Sequence, residues 1–479
     1  MTKAAPATDI ISRLIEIVGD AHALTRPEDQ AGYLREWRDR YTGKTPVVLR
    51  PGSTDEVSKI LALAHEHGIA IVPQAGNTGL VGGQIPSLSG TEIILSVGRL
   101  KAVRAVDADG GTMIVEAGVT LADAQAVAEK AGRLFPLSLA SEGSAQIGGV
   151  LATNAGGTAV LAYGNARHLC LGLEVVLADG RIWHGLRTLK KDNTGYDLRD
   201  LMIGSEGTLG VITAAALKMA PRPAETATAI VALNSPREAL KLFRLAEETA
   251  GGALTAFEFW AREAMQFALD YMPNTRDPMS IAHPWYALVE ISSSAWRHLE
   301  GGGRAHDQLE NLLLAASDMS LICDAALAAS LQQARDFWTL RESFSEAQKG
   351  AGGSIKHDIS LPIARIPEFL VRAAEVVERV CPGARPVPFG HFGDGNLHYN
   401  VSQPIGMEKA RYLALWQPMS DAVHALVADM AGSISAEHGI GQMKRDALVR
   451  FKSPVEIIMM RAIKAALDPK GILNPGKVL

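Results

Sequence analysis

The chain has 479 residues, 47% hydrophobic and 21% charged, with a net charge of −5. That length is more than one hydrophobic core usually serves, so two or more domains are expected, and the acidic balance argues against non-specific nucleic-acid binding. The three cysteines, Cys170, Cys323 and Cys381, stand far apart with no CxxC pair, which suits a reduced, cytoplasmic protein better than a disulfide framework.

In chain order, residues 10–18 (IISRLIEIV) form an amphipathic helix pattern interrupted by Arg13 and Glu16, without the layout of a secretory leader. No apolar run approaches the roughly 18 residues of a transmembrane helix, so the expectation is a cytoplasmic protein, peripheral at the inner membrane at most. Residues 45–73 read as a β-α-β unit. Its helix is opened by a capping box, Ser53 to Glu56, striped by Val57, Ile60, Leu61 and Ala64, and ended at Gly68. Strands follow at 93–96, 113–117 and 173–177, then a hairpin turn at Asp179-Gly180 and a strand over 210–219. Pro221 and Pro223 mark a boundary. Beyond it, strands near 226–232, 253–258 and 285–291 alternate with longer helices such as 235–250, with a loop at Gly301-Gly302-Gly303. From about 432 the chain is again punctuated by glycine and proline.

Two segments are dense in glycine: Pro73 to Gly83 (PQAGNTGLVGG) and Ser141 to Gly157 (SEGSAQIGGVLATNAGG). Glycines let backbone N–H groups ring a phosphate without Cβ clashes. The plain alternative is a pair of tight turns, but a dinucleotide pyrophosphate needs several donors at once, and two such loops in one domain supply them. No GxGxxG occurs, so a Rossmann site is not supported, and Gly43-Lys44-Thr45 lacks the rest of a Walker loop.

PGSTDEV, GNTGLVGG, QIGGVLATNAGG, KKDNTGYDL with Tyr196, and IGSEGTLGVIT together resemble the FAD-binding (PCMH-type) domain of the vanillyl-alcohol oxidase superfamily, over about residues 42–221. The resemblance implies that both glycine segments hold the FAD pyrophosphate and ribityl chain. In the first, this assigns Pro73, Ala75, Gly76, Asn77, Thr78, Gly79, Gly82 and Gly83; in the second, Ser141, Gly143, Ile147, Gly148, Gly149, Asn154, Gly156 and Gly157. Gly207, Ile212 (through its backbone) and Asn474 complete the implied cofactor contacts. Some members attach the flavin to a histidine. Here Asn77 stands in the first loop with no histidine nearby, so non-covalent FAD is expected. Relatives carry Arg-Gly or Gly-Gly where this chain has Gln74-Ala75, which implies weaker charge pairing with the cofactor.

Residues 388–400 read PFGHFGDGNLHYN. A two-residue turn at Asp394-Gly395 sets His391 opposite His398, with both imidazoles on one face. Glu437, beside His438 in SISAEHGIG, can complete a His2Glu metal set. The alternative is two hydrogen-bonded histidines and an unrelated loop carboxylate. GHFGDGNLHYN and SISAEHGIGQMK resemble the C-terminal half of the flavin-linked D-2-hydroxyacid dehydrogenases, the D-2-hydroxyglutarate and D-lactate group. The resemblance implies that His391, His398 and Glu437 bind a divalent metal (zinc, with manganese the alternative), that His438 is the general base, and that Asn400 touches the substrate. The division of roles is chemically coherent. A metal on the 2-hydroxyl lowers its pKa, a neutral histidine takes the proton, and FAD takes the hydride.

Arg341 and Ser345, at i and i+4 on a predicted helix, and Lys356 in the following strand suit a carboxylate; a solvated helix face is the alternative. D-2-hydroxyglutarate dehydrogenases place Arg, Thr and Lys at matching positions, with Ser345 here in place of the threonine. The resemblance therefore leans towards D-2-hydroxyglutarate or D-malate as substrate, with D-lactate as the alternative. An oxidase using O2 and a non-catalytic flavoprotein are the competing functions. The implied fold is α+β: a PCMH-type FAD-binding domain at 42–221, an α/β substrate (cap) domain at 222–431, and a C-terminal helical segment at 432–479 that packs back on the FAD domain and closes the active site. The sequence does not name the electron acceptor, for which electron-transfer flavoprotein, a quinone and a cytochrome are the candidates, and a homodimer is compatible with the sequence.

Overall fold

The computed structural model describes residues 6–293 and 305–479; the expected loop at Gly301-Gly302-Gly303 lies outside the described residues. The chain divides into two compact units. The first comprises the residues up to Gly157, Gly164–Pro221 and Glu437–Leu479; the second comprises Thr158–Tyr163 and Arg222–Ala436.

The first unit contains a four-stranded sheet of β1 (Ala23–Leu24), β2 (Val48–Leu49), β3 (Ala70–Gln74) and β4 (Glu92–Ser96), in the order β1-β2-β4-β3. β2 and β3 both run parallel to β4, so the two strands of the expected β-α-β unit are separated by a third. The helix between them spans Thr54–His67. Ser53 Oγ accepts from Glu56 N at 3.1 Å, but the Glu56 carboxylate reaches back to Gly52 N at 2.7 Å instead of to Ser53. The expected capping box therefore closes one residue early. Gly68 ends the helix at φ 68°, a left-handed conformation glycine adopts without a Cβ penalty. Val57, Ile60, Leu61 and Ala64 join a core with Leu14, Ile71, Ile93 and Leu95.

A second, antiparallel sheet is built from β5 (Val103–Asp107), β6 (Thr112–Glu116), β8 (Cys170–Val176), β9 (Ile182–Gly185) and β10 (Val211–Lys218), in the order β5-β6-β10-β8-β9. β7 (Arg133–Leu134) pairs with β11 (Ala220–Pro221). The β8–β9 connection is a three-residue loop, with Leu177 N bonded to Arg181 O at 2.9 Å and Gly180 at φ 86°. The C-terminal residues return to β3: Ile71 N donates to Ile472 O and Asn474 N to Ile71 O, both at 2.8 Å.

The second unit is organised on one antiparallel sheet of β12 (Glu225–Leu233), β13 (Leu254–Ala261), β14 (Trp285–Ser293), β15 (Asp324–Leu327), β16 (Ser354–Ile355), β17 (Asp358–Ser360), β18 (Arg385–His391) and β19 (Asn396–Ser402). The path is β15-β12-β14-β13-β18-β19-β16, with β17 also on β19. The helices Ala305–Asp318 and Leu331–Ala347 pack on β12, and the helix Pro236–Ala250 opens with a complete capping box between Ser235 and Glu238. Trp260, Tyr286, Leu288 and Phe344 are fully buried in its core. The mixed helix and sheet content matches the α+β class expected. Among the described residues no helix is long and apolar enough to cross a membrane.

Candidate active site

In the first unit the two glycine segments meet. A Cβ on Gly76 would lie 2.0 Å from Ser144 O, so only glycine allows the loops to approach this closely. A cleft of about 590 Å3 runs beside them, lined by Gln74, Ala75, Gly76, Asn77, Ser144 and Gln146 together with Arg50, Arg99 and Lys101. Gln74 is 2% exposed, and its amide donates to Tyr33 O and Gln84 O at 2.9 Å. Gln74 is therefore an inward structural residue and not a side chain aimed at the cleft. The three cations on the cleft wall supply charge suited to a diphosphate. Asn77, at φ 54°, donates to Gly32 O and Arg35 O. Of the other first-loop residues, Gly79 O accepts from Gln84 Nε2, Gly82 lies at φ 72°, and Pro73 lies against Gly207.

The second segment is more divided in its work. Ser141 O accepts from Ser144 N and Ala145 N, turning the chain around Gly143. Ile147 N and Gly148 N donate to Val119 O and Ala117 O, so those two N–H groups hold protein and not a phosphate. Gly148 and Gly149 permit close approach to Ala117 and Ala75. Asn154, at φ 51°, accepts from Arg167 N.

The end of this segment grips residues 437–442, which belong to the same unit. Gly157 N donates to Glu437 Oε1 at 3.0 Å, and a Cβ on Gly156 would meet that oxygen at 2.8 Å. Glu206, at φ 52°, accepts from Ile440 N at 2.7 Å and Gly441 N at 2.8 Å, just after His438. Burial pushes the Glu206 carboxyl up, against the pull of those two N–H groups. Asn474 Nδ2 then ties Gly83 O at 2.9 Å to Glu206 O at 2.8 Å. Thus the expected base and carboxylate ligand sit on a segment fastened by Gly157, expected to hold the flavin, and by Glu206. Ile212 lies on β10 at an irregularity in its pairing with β8.

In the second unit the histidine hairpin differs from the expected register. Phe392–Asp394 form a 3-10 turn and Gly395 follows at φ 84°, so His398 pairs with Phe389 and not with His391. The side chain of Asp394 explains the longer turn: it accepts from Asn396 N at 3.0 Å. Residues two apart on a strand share a face, so the imidazoles still converge, with ring centroids 5.7 Å apart. Across the other neighbouring strand, Glu258 is paired with His391. Its Oε1 lies 2.7 Å from His391 Nδ1 and its Oε2 accepts from Arg341 Nε at 2.9 Å. Burial pushes the Glu258 carboxyl up, but His391 and Arg341 more than offset this and hold it below the ordinary range.

Arg341 is 6% exposed, which rules out a solvated helix face at this position, and its guanidinium lies 5.2 Å from the centre of the Phe389 ring. Ser345 and Lys356 come together, with Nζ 3.1 Å from Oγ and 3.0 Å from Ser345 O. Asn400 is buried and donates to Gln348 Oε1 at 3.1 Å; the buried Gln348 Nε2 has no hydrogen-bond partner. The sequence reading missed Glu206, Glu258 and Gln348. Glu258 had a visible signal: one charged residue within the otherwise apolar run LTAFEFWA, where a charge must be paired.

Comparison with known proteins identifies the family. A family model described as FAD linked oxidases, C-terminal domain, matches residues 222–478, and one described as FAD binding domain matches residues 45–185. The chain is 38% identical, over 97% of its length and 84% of the relative's, to the mitochondrial D-2-hydroxyglutarate dehydrogenase of Rattus norvegicus. It is 37% identical, over 98% of its length and 81% of the relative's, to that of Arabidopsis thaliana. The solved structure of p-cresol methylhydroxylase matches with a TM-score of 0.74, covering 98% of this chain and 96% of that one, at 14% identity, a likeness of fold alone. The chain belongs to the FAD-linked oxidases, in the D-2-hydroxyacid dehydrogenase group of FAD-dependent oxidoreductases that act on CH–OH donors.

Proposed function

We propose that this chain oxidises D-2-hydroxyglutarate to 2-oxoglutarate, using non-covalent FAD and one divalent cation, zinc or manganese. The observation that carries the metal part is the convergence of His391 and His398, with Nδ1 of His391 engaged by a buried carboxylate. That donor set suits a borderline cation, and ligating histidines characteristically give their other nitrogen to such a partner. When bound, FAD supplies the two-electron acceptor for the C2 hydride and the cation supplies Lewis acidity at the 2-hydroxyl. His391, His398 and Glu437 would hold the cation. His438 takes the hydroxyl proton, a task suited to neutral imidazole near pH 7. Two cationic side chains in the second unit, Arg341 and Lys356, match the two carboxylates of a dicarboxylic substrate, with Ser345 and Asn400 adding hydrogen bonds.

The test is anaerobic mixing of the FAD-loaded protein with a panel of D-2-hydroxy acids, followed by flavin absorbance. D-2-hydroxyglutarate should bleach the flavin fastest, with D-malate next. Faster bleaching by D-lactate would overturn the dicarboxylate assignment, stoichiometric peroxide under air would indicate an oxidase, and a chain that takes up no FAD would overturn the whole reading.

A further inference from the structure

We infer that Glu258 is a positioning residue that couples the two halves of the substrate site, fixing the metal-facing nitrogen of His391 with one oxygen and holding the Arg341 guanidinium with the other. This rests on the proposal that His391 ligates a divalent cation.

The case begins with strand register. Glu258 on β13 stands opposite His391 on β18, and directly opposed residues on an antiparallel pair share a face. Its side chain is 1% exposed in a strand whose every residue is buried. A lone carboxylate there would be costly, and it is compensated on both sides. Oε1 is 2.7 Å from His391 Nδ1; Oε2 is 2.9 Å from Arg341 Nε and 2.7 Å from Nη2. Trp260 and Phe389, paired on the same two strands and on the same face as Glu258 and His391, are 0% and 3% exposed, so water has little access to the carboxylate.

A carboxylate only accepts hydrogen bonds, so the proton of neutral His391 sits on Nδ1 and the lone pair on Nε2. That tautomer is the one a metal needs. The same carboxylate takes the Nε edge of Arg341. Arg341 Nη2 lies 2.7 Å from the same oxygen, Oε2, so Glu258 holds the Nε–Nη2 edge of the guanidinium and fixes the direction of its opposite edge. Glu258 therefore sets the tautomer of a metal ligand and the aim of a carboxylate anchor through one rigid group.

Glu258→Gln separates this role from simple packing. Arg341 can only donate, so the glutamine oxygen must face it and the NH2 must face His391 Nδ1. His391 is then driven to carry its proton on Nε2, where it cannot ligate. With the FAD-loaded protein, zinc and manganese affinity are measured by equilibrium dialysis, alongside flavin content, melting temperature and KM for D-2-hydroxyglutarate. The expected result is unchanged flavin content, a metal affinity lower by about 10–100-fold, a raised KM, and flavin reduction partly recovered by excess metal. Equal metal affinity in the variant and the unmodified chain overturns the role of Glu258. Absence of metal binding by the unmodified chain overturns instead the metal proposal beneath it. If the variant fails to fold, nitrogen NMR of 15N-histidine in the unmodified, metal-free protein decides. An Nδ1–H signal for His391 supports the inference, and an Nε2–H signal overturns it.

Discussion

Arg341→Met removes one member of a buried pair and leaves the other. Glu258 is 1% exposed and Arg341 6%, so neither charge is solvated, and two contacts below 3 Å, at 2.9 and 2.7 Å, join them. Removing one partner of such a pair costs about 3–5 kcal/mol, and the contact that Glu258 keeps with His391 puts this variant at the lower end. At roughly 2–4 °C per kcal/mol for a unit of this size, melting should fall by at least about 6 °C. Replacing both partners removes the stranded charge, so Glu258→Leu with Arg341→Met should recover most of that loss, less about 1–3 kcal/mol for the His391 Nδ1–H left without its acceptor. Function should not return with it, since the double variant has lost both the carboxylate on His391 and the carboxylate anchor. Urea unfolding of the three proteins, with metal binding measured on each, checks the pattern. A single variant within about 0.5 kcal/mol of the unmodified chain would show that the pair is not desolvated and would refute the reasoning.

Glu174 gives a pH-dependent prediction. Burial raises its carboxyl pKa, but hydrogen bonds from Arg104, Thr54 and Thr213 outweigh that and hold it at about 2. A depressed pKa stabilises the fold above the ordinary glutamate range and loses that effect as pH falls towards 2. At about 1.4 kcal/mol per unit, less some screening at the partly exposed Arg104, Glu174→Gln should cost roughly 2–3 kcal/mol at pH 7. The gap should narrow between pH 5 and pH 3 in urea titrations; a constant gap would contradict the network. Gly76→Ala places a Cβ about 2 Å from a backbone carbonyl, so flavin content on purification should fall sharply, and full FAD occupancy would show that the loops can part freely. His438→Asn should keep its flavin yellow yet slow reduction by D-2-hydroxyglutarate by about 10²–10⁴-fold; undiminished bleaching would remove His438 as the base.

The parts of the fold legible from sequence were those whose physics is local. The helix Thr54–His67 announced itself through Ser53, a four-residue stripe and Gly68, and β12, β13 and β14 through apolar runs. What sequence could not state was the partner of each strand. Insertion of β4 between β2 and β3 is a long-range pairing with no local signature. β5 was missed because it is exposed along its whole length and so lacks the hydrophobic alternation that marks a half-buried strand. Glycine density located two loops that the structure brings together, but it did not distinguish glycines that free a backbone donor from those that permit packing. Gly148 is of the second kind, since its N–H is already given to Ala117 O.

The histidine hairpin shows why one wrong element of a reading can leave its consequence intact. The turn is longer than the Asp394-Gly395 pair suggests, and His398 faces Phe389, two residues from the expected partner. A slip of one residue would have sent His398 to the opposite face and dispersed the donors; a slip of two keeps the face and changes only a direct pairing into a diagonal one. Diagonal neighbours remain within reach of long or aromatic side chains, and the rings sit 5.7 Å apart. The slip also has a consequence. Phe389, opposite His398, lies between that imidazole and the Arg341 guanidinium, at 5.1 Å from the first and 5.2 Å from the second. The Phe389 ring thus neighbours both the proposed carboxylate anchor and one proposed metal ligand, while Glu258 joins the same cation to the other histidine. Each histidine also faces a carboxylate across its other neighbouring strand, Glu258 for His391 and Asp358 for His398, whose Oδ1 lies 3.9 Å from His398 Nδ1; the actual register sets the Phe389 ring opposite His398 and not opposite His391.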